Sequence, residues 1–383
     1  MLNAPMTRAL APLLAVVLLA AACGGQRPCA ACAAVPPASP DAVMSDVAAF
    51  TRTLERVFKA RPGPHRLLVL SGGGGSGAWG AGVLKSWSER GDRPVFDVVT
   101  GVSTGAMIGT FAFLGSKYDG RLEQAYTTMT PDSVYSTYFL PWALLFESSL
   151  RDTTPLARMV SEYFTDEVID EVGRVAREEH RVFWVGTTDM DTGDFKTWDM
   201  TAIAASKAPG RHDLYRRILL ASTALPALFP PVTIDRTLYA DGGLREQIFG
   251  MRLATAVVAA YKTISPPPGK KSVVYAIVNG QLVVPNLCVR ERLYPIGLRT
   301  INVALIEGML GSLYRLRVLM PDPPWTLLLS HIPSGMFLDP AVDSFDNAQM
   351  RAIYAEARRW GTTLSWQPFP DDIPLSPLPC VGP

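Results

Sequence analysis

A serine flanked by glycines has the clearest chemical signature in this sequence. Ser103 is the centre of a Gly-x-Ser-x-Gly pattern with Gly101 and Gly105. A strand-like run, Val95–Thr100, precedes it, and a small apolar helix, Gly105–Leu114, is predicted to follow. Between strand and helix, such a pattern places the serine on a sharp turn, with its hydroxyl exposed and the next N–H aimed at the reacting oxygen. Ser103 is therefore a candidate nucleophile, although a Gly/Ser turn without chemistry has the same pattern.

A glycine-rich loop lies one strand earlier. The predicted strand His65–Leu70 is followed by a loop and a small-residue helix, with glycine at Gly72, Gly73, Gly74, Gly75 and Gly77. Glycines let the main chain approach a ligand closely, and the unpaired N–H groups at a helix start attract negative charge. A phosphate and a transient oxyanion both fit this description, but the Lys-Ser/Thr pair of a nucleotide-binding loop is missing. Because the serine pattern follows, the question for this loop changes from binding to chemistry.

A third polar turn supplies a candidate base. Asp241, Gly242 and Gly243 follow the strand-like Leu238–Ala240. In a parallel sheet, functional residues gather at the edge where the strands end, so this carboxylate is predicted to face the same region as Ser103. Taken alone, an Asp-Gly pair is most often an ordinary turn.

A histidine offers an alternative base. In α/β-hydrolase triads the chain order is serine, acid and histidine, and His331 follows the apolar run Trp325–Ser330 in that order. The other three histidines, His65, His180 and His212, lie before the glycine loop or in charged helical or loop sequence. A Ser-Asp-His arrangement with His331 therefore stays open beside a Ser-Asp pair.

Length and composition indicate one large domain with appendages. The chain has 383 residues, of which 48% are hydrophobic and 19% charged, which suits a single domain of about 250 to 300 residues. The net charge of +1 gives no electrostatic basis for binding nucleic acid. No cluster of metal-ligand residues accompanies the serine motifs, so we expect neither a metal nor a cofactor.

The N-terminus predicts export. Residues 1–22 combine Arg8, the apolar run Leu10–Leu19 and three alanines before Cys23. The segment resembles a bacterial lipoprotein signal, which implies that Cys23 is lipidated and becomes the mature N-terminus. Position 25 is glycine and not aspartate, which implies the outer membrane, facing the periplasm. The alternative is an ordinary secretory signal with an incidental cysteine.

Four further cysteines can form disulfides in an exported protein: Cys29, Cys32, Cys288 and Cys380. Pairing Cys29 with Cys32 and Cys288 with Cys380 is the natural arrangement, but the connectivity stays open.

Taken in order, these motifs resemble the patatin-like phospholipases. The resemblance rests on the glycine loop, the serine turn and the Asp-Gly-Gly turn, and also on Ala221–Pro231 and Thr187–Gly193. It covers Arg66–Gly250 well and Phe345–Gly361 more loosely. It implies a dyad with Ser103 as nucleophile and Asp241 as base, and an oxyanion hole formed by the N–H groups of Gly73, Gly74 and Gly75. The implied activity is that of a lipid acyl hydrolase acting on phospholipid or another acyl ester. One position departs, because the family usually has Arg or Lys where this chain has Ser76.

The resulting layout has four parts. Residues 1–22 are the signal peptide, 23–64 a tether with a lead-in helix from Asp41, 65–362 the catalytic domain and 363–383 a proline-rich tail. By the same resemblance, the domain is expected to be a three-layer α/β/α fold with a mainly parallel central sheet. A catalytically silent lipid-binding envelope lipoprotein and a peptidase are the other functional classes.

Overall fold

The fold is described from a computed structural model. The described residues are 40–137, 148–149, 151–226, 228–264, 271–285, 288–320, 322–336, 338, 345–363 and 366–369. The predicted signal peptide, Cys23, most of the tether and most of the tail lie outside these ranges.

Within the described residues, nine strands form one sheet and two short strands form a separate pair. The strands are β1 (Arg66–Leu70), β2 (Val98–Val102), β3 (Ser136–Thr137), β4 (Arg151–Asp152), β5 (Val182–Asp189), β6 (Phe195–Asp199), β7 (Val232–Ile234), β8 (Thr237–Asp241), β9 (Ser272–Val278), β10 (Trp325–His331) and β11 (Gln367–Pro368).

The helices alternate with these strands. They are α1 (Pro40–Ala60), α2 (Ala78–Arg90), α3 (Thr104–Leu114), α4 (Asp119–Thr128), α5 (Pro131–Val134), α6 (Thr154–Tyr163), α7 (Asp166–Glu179), α8 (Met200–Ala205), α9 (Arg211–Ser222), α10 (Met251–Thr263), α11 (Leu293–Leu319) and α12 (Asn347–Thr363). Three 3₁₀ turns cover Gly74–Gly77, Ser116–Tyr118 and Gly242–Leu244.

The main sheet is parallel at its centre and antiparallel at its edges. Its strand order is β11-β10-β9-β1-β2-β5-β8-β7, and β6 also pairs with β5. The five strands from β10 to β5 are parallel, whereas β11, β6, β8 and β7 run antiparallel to their neighbours. The sheet is therefore mixed, and its parallel part is the centre.

Two apolar cores, one on each face of the sheet, give three layers. Along β1, Leu68 and Leu70 belong to one core, and Leu67 and Val69 to the other. This follows from the two-residue alternation of side chains along a strand. The first core includes buried residues of α2, α3 and α12, and the second those of α1 and α10. The predicted three-layer α/β/α fold is confirmed.

The starts of two helices follow from their local sequence. Helix α11 begins at Leu293, and Pro295 lies in its first turn. Proline is tolerated there because the first N–H groups of a helix have no intrahelical acceptor. Helix α9 begins at Arg211, directly after Gly210, which has a left-handed conformation.

The cysteine pairing stays a prediction. Cys288 is exposed and is not part of a disulfide among the described residues. Cys29, Cys32 and Cys380 lie outside them.

Candidate active site

Ser103 sits on a tight turn between β2 and α3. It is buried, and its φ of 55° and ψ of −128° are unusual for a residue with a side chain. The turn is crowded: a Cβ on Gly105 would lie 2.5 Å from the carbonyl oxygen of Leu70, and one on Gly101 would clash with Gly105 itself. Glycine is therefore required on both sides of Ser103, as the sequence pattern predicted.

The sheet register brings Asp241 next to Ser103. Val102 of β2 pairs with Gly186 of β5, and the next residue of β5, Thr187, pairs with Asp241 of β8. Ser103 and Asp241 thus occupy the same row across three strands. Both side chains line the same cavity, and the Ser103 hydroxyl favours the charged form of the Asp241 carboxylate. The structure therefore brings the two candidate residues together.

The direction of β8 differs from the sequence argument. Asp241 was expected at the end of a parallel strand, but β8 runs antiparallel to β5. The carboxylate still reaches the serine because the end of β8 lies opposite Thr187, near the end of β5. The predicted proximity therefore holds for a different geometric reason.

Burial dominates the acidity of Asp241. Removal from water raises the pKa of this carboxyl to about 6, although hydrogen bonds from Ser103 and from the Gly243 N–H favour the charged form. The Gly243 nitrogen lies 2.7 Å from Oδ1. A carboxylate with a pKa near 6 is mostly ionised at neutral pH and is a stronger base than an exposed aspartate.

The glycine loop presents unused N–H groups beside Ser103. A Cβ on Gly72 would lie 3.2 Å from the Ser103 Cβ, so the loop and the serine are in close contact. The Gly72 N–H donates to the Gln247 carbonyl at 3.1 Å. Within the described ranges, the N–H groups of Gly73, Gly74 and Gly75 have no hydrogen-bond acceptor. These three donors are available to an incoming oxygen.

Comparison with known families agrees with this geometry. Residues 68–249 match the family model of the patatin-like phospholipases. The chain carries a patatin-like phospholipase domain. The match includes the glycine loop, the serine turn and Asp241, as the resemblance had predicted. Among solved structures, VipD from Legionella pneumophila is similar at 12% identity and a TM-score of 0.35, over 77% of this chain and 67% of that one. No curated protein matches the sequence significantly.

Asn279 fixes the glycine loop of the patatin-like domain and was missed from sequence. It is buried just after β9, and its N–H donates to the Ser71 hydroxyl at 2.8 Å. Its side-chain amide donates to the Ser71 carbonyl at 2.8 Å and accepts from the Gly80 N–H at 3.0 Å. The available signal was a polar residue ending a buried strand, the same signal that marked Asp241.

Ser222 holds the serine turn in place. From sequence, it was noted only as part of the Ala221–Pro231 motif, with no role of its own. Its hydroxyl accepts from the Ser103 N–H at 2.9 Å and donates to the Gly186 carbonyl at 2.7 Å. Two residues further along that motif, the Ala224 carbonyl accepts from the Asp241 N–H at 2.9 Å. The segment that resembled the family thus holds both candidate residues in place.

A largely apolar cavity of about 220 Å³ opens from Ser103 and Asp241. Its walls come mainly from α3, α4, α6 and α11. In the described residues, Asp241 is the only ionisable acid or base in its lining apart from two tyrosines, and Ser76 takes the place of the family's usual cation. The apolar side chains that line it include Met107, Phe111, Leu122, Met129, Leu156, Val160, Phe164, Leu225, Phe229, Leu305, Ile306 and Met309.

The histidines lie elsewhere. His331 ends β10, which is three strand positions, about 14 Å, from β2. Its Nδ1 contacts the Ile332 carbonyl at 2.9 Å and its Nε2 contacts Gln367 at 3.3 Å. His65, His180 and His212 do not line the cavity either, within the described part of the chain. This placement does not favour a Ser-Asp-His arrangement.

We predict that Ser222→Ala weakens both the fold and the site. The change leaves the Ser103 N–H and the Gly186 carbonyl without their buried partner, which should lower the unfolding free energy by about 1–3 kcal/mol. Denaturant unfolding measures this loss. Hydrolysis of a soluble ester should show a lower kcat with little change in KM, because Ser222 positions the serine and does not touch substrate.

Ser161→Ala is the matched control, since that hydroxyl bonds to the Ala157 carbonyl on an exposed helix face. Equal behaviour of the two variants would show that Ser222 has no positioning role.

Proposed function

We propose that this protein is an exported serine lipid acyl hydrolase that cleaves carboxylic esters with a Ser103–Asp241 dyad. A domain of this family implies lipid acyl hydrolase activity. The observation that carries the dyad is the sheet register, which places the two buried side chains in one row and in the lining of one cavity.

The proposed reaction has two steps. Ser103 Oγ attacks the ester carbonyl carbon while Asp241 accepts the hydroxyl proton. The tetrahedral intermediate then collapses, the C–O bond to the alcohol breaks, and Asp241 returns the proton to that leaving oxygen. A water molecule next gives a proton to Asp241 and attacks the acyl-serine. The second tetrahedral intermediate collapses, the bond between the acyl carbon and Ser103 Oγ breaks, and Asp241 returns the proton to Ser103 Oγ as the fatty acid leaves.

Charge stabilisation compensates for a weak base. A carboxylate with a pKa of about 6 is a much poorer base than a serine alkoxide. The N–H groups of Gly73, Gly74 and Gly75 are therefore assigned to the oxyanion. One such donor typically contributes about 3–4 kcal/mol to the transition state. The start of α3 behind Ser103 adds its positive dipole end.

The cavity accommodates the acyl chain. Its walls are mostly apolar side chains, and burial of each CH₂ contributes about 0.8 kcal/mol to binding. No cation lines the cavity among the described residues, so a phosphate would find no charge partner inside it. We therefore place the acyl chain in the cavity and the head group, whether phosphorylated or neutral, outside it.

We predict that Ser103→Ala and Asp241→Asn each lower hydrolysis by about a thousandfold or more, and that the double variant is no worse than either. Nucleophile and base act as one unit, so their losses do not add. Purified variants assayed on short-chain esters and on phospholipid measure this.

His331→Ala is the control and should keep most activity. If it is as inactive as Ser103→Ala, the dyad is wrong. If the parent protein hydrolyses neither substrate class, a binding lipoprotein replaces the enzyme.

A pH profile tests the base separately. Only ionised Asp241 accepts a proton, and burial raises its pKa to about 6. We predict that kcat/KM is level above this pH and falls about tenfold for each pH unit below it. The profile of His331→Ala should have the same acid limb. An acid limb near pH 4, the range of an exposed aspartate, would contradict the proposed role of burial.

We further propose that Cys23 is lipidated and holds the protein at the outer membrane, facing the periplasm. The support is the sequence of residues 1–25, which lie outside the described residues. An acylated cysteine anchors durably because each buried CH₂ contributes about 0.8 kcal/mol.

We predict that Cys23→Ser moves the protein from the membrane to the soluble fraction, with unchanged hydrolysis of soluble esters. Cell fractionation and mass spectrometry of the mature N-terminus measure this. If the wild-type protein is soluble and its mature N-terminus is another residue, the lipidation proposal is wrong and only the proposal of export stands.

A further inference from the structure

Exposed apolar side chains concentrate on one surface. Of the eight large apolar residues that are exposed in the described ranges, five lie on the 3₁₀ turn after Asp241, the start of α10 and the last turns of α11. These elements pack against each other. The start of α10 packs closely on α11, because a Cβ added to Gly250 would lie only 2.6 Å from the Ser312 carbonyl oxygen. We call this surface the apolar patch, and its residues are Leu244, Met251, Tyr314, Val318 and Leu319.

Helix α11 is apolar on two opposite sides. Leu313 and Leu316 are buried in the core, whereas Tyr314 and Val318 point outward and are 59% and 60% exposed. Among the described residues, one helical segment, Pro295–Leu319, is long and apolar enough to cross a membrane by length and composition, and only 22% of its most apolar window is buried. Exposed apolar side chains that lie together on one surface often mark a contact with protein or lipid. The outer side of α11 therefore lacks the apolar partner that its composition favours.

Basic side chains flank the apolar patch. Arg245 and Arg315 are exposed, and both act electrostatically on the buried Glu246. Arg252 also acts on Glu246, but it is buried, with its Nε 3.7 Å from the carboxylate. The exposed acid on this helix, Glu307, lies two turns from Tyr314. Apolar side chains next to outward-facing cations are the combination that binds an anionic lipid surface.

The elements that carry the patch also contribute to the cavity wall. Leu305, Ile306 and Met309 of α11 line the cavity, and the last turns of the same helix carry the patch. On the other side, Leu244 is three residues after Asp241, which also lines the cavity. A bilayer that contacts the patch would therefore lie within two or three helical turns of the acyl-binding walls.

We propose that the apolar patch docks directly on an anionic phospholipid surface. Tyr314, Val318 and Leu244 enter the interface, and Arg245 and Arg315 contact the phosphate groups. This contact is separate from the anchor at Cys23 and does not require hydrolysis. It brings the domain itself against the membrane, where a tether alone would leave its orientation free.

Vesicle binding tests this proposal. The full chain carries Cys23→Ser, which removes the lipid anchor, and Ser103→Ala, which prevents hydrolysis of the vesicles. Binding is measured by co-sedimentation with vesicles of phosphatidylcholine alone and with vesicles that contain phosphatidylglycerol. We expect tighter binding to the anionic vesicles, and weaker binding as salt is raised.

Val318→Asp is the test variant and Val95→Asp its matched control. Val95 is 56% exposed, close to the 60% of Val318, but lies between α2 and β2, outside the patch. We expect Val318→Asp to weaken binding to anionic vesicles by about tenfold or more, because an apolar side chain is lost from the interface and a like charge is introduced. Val95→Asp should bind like its parent.

Three outcomes would overturn the proposal. The parent fails to bind, the two aspartate variants bind equally, or Val318→Asp converts a dimer to a monomer with vesicle binding unchanged. The last result would make the patch an interface between two copies. Soluble-ester hydrolysis by Val318→Asp with Ser103 intact, together with its circular dichroism spectrum, shows that the variant is folded. Tyr314→Ser repeats the test without an added charge.

Discussion

The burial of one carboxyl group governs the whole site. Asp241 loses its water on entering the protein, which raises its pKa to about 6 and makes the charged form costly. Its compensation is local: hydrogen bonds from the Ser103 hydroxyl and the Gly243 N–H reach the carboxylate. The backbone of Asp241 is held on both sides, by the Ala224 carbonyl and by the Thr188 hydroxyl, which donates to the Asp241 carbonyl at 2.8 Å. The backbone that carries this carboxylate is therefore held in place beside the serine turn.

The mixed sheet is the means by which two distant parts of the chain meet. Parallel pairing of β2 with β5 sets the level of Ser103, and antiparallel pairing of β5 with β8 sets the level of Asp241. A shift of one residue in either pairing would turn the neighbouring side chains to the opposite face. Ser222 bridges these strands through Ser103 and Gly186, so the register and the serine turn are stabilised by the same hydroxyl.

Local motifs marked the candidate residues that the structure brings together, whereas their long-range partners were not predictable from sequence. The serine turn and the glycine loop depend on backbone geometries that few residues other than glycine allow, so their identity shows in the sequence. The roles of Ser222 and Asn279 depend on which strands become neighbours, and serine and asparagine are common in turns for other reasons. The direction of β8 was missed because a short strand has the same pattern in either direction.

Two parts of the structure have an energetic cost that other contacts must offset: the serine turn and the exposed side of α11. Ser103 has a φ of 55°, a conformation that costs a residue with a side chain about 1–3 kcal/mol. The Ser222 hydroxyl and the close packing of Gly105 on β1 offset this cost, because both are satisfied only when the turn keeps its shape. Helix α11 presents a comparable conflict, since the same apolar residues that build the core and the cavity wall continue onto its exposed side. In the serine turn, the protein supplies the compensating contacts itself. For the exposed side of α11, the proposed compensating surface is a lipid interface, because its chemistry matches both the apolar and the basic side chains there.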